Sequence, residues 1–248
     1  MPVTPRSLLK TVFRVSPWVV FSKLVGLCIP LVIAHLYGIS WITDTFFYML
    51  AVPTFMVVIT ANAASNIFVP ALTHAREADS ATLCRLSMTL AFATAFFACL
   101  LGVFIGTATT LHLSITQDES QQPVMLALKF GLLLLPYIAC IGMNASLRPT
   151  CDVLGVFTAT PVAGILRSVA VIATLFFGDA VFGILVLPLS FSIGECARTT
   201  ALWVALRRTL GHMPFSFQME TRAERVERLH LPVPPAATMG DSPSLSDS

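Results

Sequence analysis

Six ionisable side chains stand inside or at the edge of apolar stretches, where charge is costly and therefore informative: Lys23, Asp44, Lys129, Arg167, Glu195 and Arg198. Cations in such places can hold phosphate or another anion, because a desolvated ammonium or guanidinium makes strong charge-assisted hydrogen bonds. Arg167 falls near the middle of its apolar run, which points to a cavity-lining or functional role. Lys23 and Lys129 are candidates for the same substrate contact, with snorkelling to the nearest interface as the alternative. Glu195 and Arg198 are three residues apart on one helix face and can neutralise each other, as a packing pair, a gate or an ion-coupling pair. Asp44 follows Thr43 at a helix start and is expected to cap orphan N–H groups, with gating or ion coupling as its other reading.

Catalytic arrangements are missing from the sequence. It has no G-x-S-x-G, no H-E-x-x-H, no phosphate loop and no paired carboxylates on one helix. The expectation is a non-enzyme without a cofactor. Cys28, Cys84, Cys99, Cys140, Cys151 and Cys196 lie mostly in apolar runs without a C-x-x-C pair, and read as small hydrophobes. Cys28 and His35 are seven apart, but two ligands do not make a metal site.

The elements that position these charges follow from composition. Of 248 residues, 56% are hydrophobic and only 11% charged, with a mean hydropathy of +0.81. A soluble domain carries about 25% charged residues, so lipid must be the solvent for much of this chain. The net charge of +2 and the lack of a basic tract with interleaved aromatics exclude a nucleic-acid partner. Six stretches reach the about 20 residues that a spanning helix needs: Pro17–Tyr37, Trp41–Ser65, Leu86–Leu111, Pro123–Ala145, Val153–Phe177 and Ala180–Leu206. Helices are required because backbone groups in lipid must bond within their own segment, and no alternating strand pattern occurs. The expected fold is an all-α membrane protein with six transmembrane helices.

Arg6, Lys10, Arg14, Arg76, Arg85, Arg148, Arg207 and Arg208 fall on flanks of one side. The opposite loops, 38–40, 112–122 and 178–179, hold Asp118, Glu119 and Asp179 but no Lys or Arg. The positive-inside rule then puts both termini in the cytoplasm. Residues 1–16 read as an amphipathic cytoplasmic N-terminus, its basic face formed by Arg6, Lys10 and Arg14, or as an ordinary charged flank. The run that follows is too long for a signal peptide and reads as a retained helix. Residues 17–206 form the six-helix lobe, and 207–248 a charged, then Pro/Ser-rich tail expected to be disordered. Pro30, Pro53, Pro136, Pro161 and Pro188 are expected to break or kink spans, and Gly26, Gly38, Gly142 and Gly164 to allow close helix approach.

The first 70 residues resemble the opening of MurJ/MviN proteins, lipid II flippases of the multidrug/oligosaccharidyl-lipid/polysaccharide exporter superfamily. The resemblance rests on Leu8–Lys10, then Phe21, Ser22, Lys23, Gly26, Ala34, His35, Tyr37, Gly38, Thr43, Asp44, Phe46, Phe47 and Pro53. Phe68-Val69-Pro70 and Pro136-Tyr137 extend it. It implies one lobe of a two-lobed transporter that moves a lipid-linked saccharide across a bacterial inner membrane by alternating access, its cavity cations holding the pyrophosphate. The chain departs from the pattern where the family carries further charges: Ile29, Pro30, Val57, Val58 and Asn62 stand there, and Lys23 alone keeps the cationic character. Six helices cannot enclose the cavity alone, so a homodimer, a separate second lobe or a truncated remnant is implied. A non-transporting accessory protein and an ion-coupled exporter of small cations, with Glu195 as its carboxylate, are the other readings.

Overall fold

The computed structural model describes residues 5–38, 40–116 and 121–210, all of which belong to one compact unit. Six α-helices account for nearly all of them: α1 Pro5–Tyr37, α2 Trp41–Ala78, α3 Ser80–Thr116, α4 Gln121–Val153, α5 Ala159–Phe182 and α6 Val186–Leu210. No strand occurs among the described residues. Four stretches are long and apolar enough to cross a bilayer: Phe13–Tyr37, Ser80–His112, Val124–Val153 and Ala159–Leu210. The last of these contains both α5 and α6. Much of the surface is made of large apolar side chains, including Leu31, Phe96, Phe104 and Phe177, as suits a chain solvated by lipid. The chain is thus an all-α membrane protein.

The helices pack in a pattern that leaves α1 at one edge, against α5, while α4 touches α2, α3 and α6. The main core gathers Phe46 of α2, Phe130 and Tyr137 of α4 and Phe191 of α6. Phe46 meets Phe130 and Phe191 edge-on at 5.9 and 5.4 Å, and Tyr137 meets Phe191 at 6.1 Å. Such pairs add about 0.5–1.5 kcal/mol each beyond burial. Of the motif residues, Phe46 and Tyr137 are therefore core, whereas Phe21, Phe47 and Ala34 face outward.

Several expectations need correction. The helices outrun the apolar spans at their ends, since polar residues continue a helix wherever no turn residue stops it. Residues 5–16 run into the first span as one helix, undivided by Pro17. Gly178 and Asp179 lie inside α5, and the break comes at Gly183, whose φ of +53° is left-handed and suits glycine. Pro161 and Pro188 occupy first turns of α5 and α6, where a missing N–H costs nothing, so they do not break a span. Pro30 and Pro136 do stand inside helices. Gly38 serves the turn between α1 and α2 (φ +63°) and meets no neighbour. Ser40, not Asp44, caps α2, in a capping box with Thr43; Asp44 stands exposed one residue further on, where its charge favours the helix N-terminus. The side chains of Arg6, Lys10, Pro53, Val57 and Asn62, and residues Asp118, Glu119 and 211–248 of the tail, lie outside the described residues.

Candidate functional site

Between α1 and α5 lies a cleft of about 500 Å³, walled by Val19, Ser22, Lys23, Gly26 and Leu27 on one side and Thr160, Gly164, Arg167 and Ser168 on the other. Arg148 of α4 and Arg198 of α6 complete it. The helical period explains the lining: Val19, Ser22, Lys23, Gly26 and Leu27 recur at three- and four-residue spacing on one face of α1, as do Thr160, Gly164, Arg167 and Ser168 on α5. Small residues bring the two backbones together beside the cleft. A Cβ on Gly164 would stand 2.6 Å from Ser22 Oγ, while one on Gly26 would make an ordinary contact, 3.9 Å from Ser168 Oγ.

Glu195 lies behind the arginines, 1% exposed. Its Oε1 is 2.7 Å from Arg167 Nε and 3.6 Å from a terminal nitrogen of Arg198. Its Oε2 accepts a hydrogen bond from Asn144 Nδ2 at 3.1 Å. The Thr199 hydroxyl donates to the Glu195 carbonyl at 2.8 Å and stands 3.3 Å from Asn144 Oδ1. One buried carboxylate thus ties α4, α5 and α6 together. Breaking such a pair by removing one partner costs about 3–5 kcal/mol, because the other charge stays buried and uncompensated. Donors still exceed acceptors: Arg167 Nε is not aligned on the carboxylate as a hydrogen bond, and Arg198 Nε and the Thr160 hydroxyl are buried without partners. Chemically, four cations line the cleft and two of them pair with one buried carboxylate, which leaves donors that can meet an anion.

Of the residues singled out in the sequence, the structure brings Lys23, Arg167, Glu195 and Arg198 together. Arg167 sits on the N-terminal side of the midpoint of α5. Lys129 is exposed on α4 and Asp44 on the first turn of α2; neither lines the cleft. Arg148 falls in a flank by sequence, because the fourth apolar stretch ends at Ala145. The helix instead runs on to Val153 with Pro149 inside it. The absence of any glycine between Gly142 and Gly155 was the signal available. Asn144, which holds the carboxylate, and Thr199, which bonds Asn144, carried no signal of their own.

At the opposite ends of α1 and α5, the Tyr37 hydroxyl donates to Asp179 Oδ1 at 2.5 Å. The same two helices thus flank a cation-lined cleft at one end and are joined by a hydrogen bond at the other.

Comparison with known proteins agrees with this architecture. The sequence matches the family of the lipid II flippase MurJ over residues 33–242. A probable lipid II flippase MurJ of Buchnera aphidicola subsp. Baizongia pistaciae (strain Bp) is 22% identical over 197 residues, covering 75% of this chain and 37% of the relative. The chain thus spans little more than a third of the length of that curated relative. No solved structure matches. Because the family match extends over most of the sequence, from the C-terminal part of α1 through every later helix, this chain belongs to the MurJ lipid II flippase family.

Proposed function

We propose that this chain is one lobe of a flippase that moves a lipid-linked saccharide, lipid II or a polysaccharide precursor, across a bacterial inner membrane by alternating access. Both termini lie in the cytoplasm, which puts the cationic cleft in the cytoplasmic half of the lobe. The observation that carries the reading is the cleft itself, lined by Lys23, Arg148, Arg167 and Arg198, of which the last two share the buried Glu195 carboxylate. A phosphate-bearing lipid headgroup needs several fixed donors when it leaves bulk water, and guanidiniums meet paired phosphate oxygens in a fork. The cleft is lined by apolar Val19 and Leu27 beside its charges, which suits a headgroup attached to a hydrocarbon chain.

A second lobe, from another copy of the chain or from a separate protein, completes the transport cavity. Export of small cations is disfavoured by Glu195, since two arginines and Asn144 already occupy its carboxylate. An accessory role without transport makes the cleft cations dispensable.

Transport of a lipid-linked saccharide by the assembled complex decides between these readings. Lys23→Ala and Arg167→Ala are each expected to cut it by about tenfold or more, the loss of roughly one charge-assisted contact. Arg85→Ala, on the exposed surface of α3, is expected to leave it unchanged. Full transport by both cleft variants would remove the cleft from the substrate path. Light scattering of the purified protein tests the second lobe: a mass of about twice 26.8 kDa, or a stable heteromer, is expected, and a lone monomer rules it out.

A further inference from the structure

The two arginines of the cleft share one oxygen. Arg167 Nε and an Arg198 terminal nitrogen both address Glu195 Oε1, at 2.7 and 3.6 Å, while Oε2 is held by Asn144. Each guanidinium carries five N–H donors, so one carboxylate oxygen leaves most of them without a strong acceptor. Arg198 is the looser partner: its distance exceeds that of a hydrogen bond, and its Nε is buried and unpartnered. Thr160 Oγ1, a second buried and unpartnered donor, stands in the same wall. Glu195 cannot follow the arginines outward, because Asn144 and its own helix fix it in place, 1% exposed. Lys23 and Arg148 form no ion pair among the described residues.

We propose that Glu195 is a resident anion of the cleft, which competes with the ligand's phosphate oxygens for Arg198 and Arg167. On binding, Arg198 exchanges the Glu195 carboxylate for a phosphate oxygen, while Arg167 keeps both. The exchange lowers affinity for ambient anions and gives Arg198 a place to return to when the ligand leaves. Glu195 is a positioning residue in this scheme, since it acts through the arginines. The inference rests on the proposed reading of the cleft as a phosphate site.

Its sign separates it from a purely structural role. Loosening the lobe weakens binding, whereas removing a competing anion tightens it. The test is calorimetric titration of inorganic pyrophosphate into the protein in phosphatidylcholine nanodiscs, at low and high salt. Glu195→Gln is expected to bind about tenfold more tightly than the wild type at low salt, the order of one unscreened charge at this range. Should that variant fail to fold with two arginines uncompensated, the same substitution is made on Arg198→Gln and compared with Arg198→Gln alone; about tenfold tightening is again expected, through Arg167. A polyprenyl pyrophosphate placed in the nanodisc bilayer that displaces the inorganic anion identifies a lipid headgroup as the occupant, and failure to displace it identifies a free anion. Wild-type binding that Glu195→Gln leaves equal or weaker overturns the resident anion alone. Silence from every variant overturns the phosphate reading with it.

Discussion

Two seams of this lobe are built from similar small residues and come out differently. Along the α3–α4 seam, Gly142 lies so close to α3 that a Cβ would stand 2.6 Å from the Thr94 carbonyl oxygen and 2.8 Å from Ala98 Cβ. Buried Ser87 and Thr150 hydroxyls join across it at 2.8 Å. Along the α1–α5 seam, Gly164 faces only the Ser22 side chain, with no backbone as near, and a cleft of about 500 Å³ opens beside them. The difference is what flanks the small residues. Apolar and paired polar groups line the first seam, whereas the exposed charges of Lys23 and Arg148 line the second, and burying such charges costs several kcal/mol each. A glycine permits close approach; the neighbouring charges decide whether it extends along the helix.

This contrast breaks most strongly at Arg167. Arg167→Ala leaves Glu195 with Arg198 alone, and about 3–5 kcal/mol of stability is expected to go, read as a lowered thermal unfolding temperature in detergent. Retention of wild-type stability would mean that the ion pair does not hold the open seam's wall. A smaller effect is expected from Gly142→Val, which forces atoms against backbone in the closed seam and costs about 1–3 kcal/mol. The same assay reads it, and its anion binding should remain at the wild-type level, which keeps the two seams functionally distinct. The smallest effect belongs to Tyr37→Phe. It unties the far end of the α1–α5 seam by removing the hydroxyl on Asp179, at about 1 kcal/mol because the contact is open to solvent. Faster hydrogen exchange confined to the adjoining ends of α1 and α5 would show that this contact holds them; unchanged exchange would show that packing alone does so.

How far the molecule could be read beforehand varied along the chain for physical reasons. Hydropathy reports lipid exposure directly, so an all-α membrane protein was legible throughout. Helix ends were not, because α2 runs on through Pro70 and the mixed polar and apolar residues up to Ala78. Lys23, Arg167, Glu195 and Arg198 were legible because charge inside an apolar run has few explanations. That they share one cleft depends on which helices adjoin, and only tertiary packing fixes that. Arg148 was read as a flank because the apolar stretch ends at Ala145, whereas α4 continues to Val153. Asn144 and Thr199 resemble any small polar residues of a membrane helix until Asn144 is seen on the Glu195 carboxylate and Thr199 on Asn144.

The turn at Gly183 bears on how the chain enters the bilayer. With only Gly183–Leu185 separating them, α5 and α6 form a helical hairpin within one apolar stretch, Ala159–Leu210. An arginine at the centre of a lone inserting helix carries a penalty of about 3 kcal/mol. Arg167 emerges from the ribosome ahead of Glu195, its counter-charge, and the tight turn delivers that carboxylate to it with little loop to close. Within the hairpin Arg167 thus meets its counter-charge on the very next helix, and insertion of α5 is expected to improve once α6 is present, read by comparing chains truncated before and after Glu195.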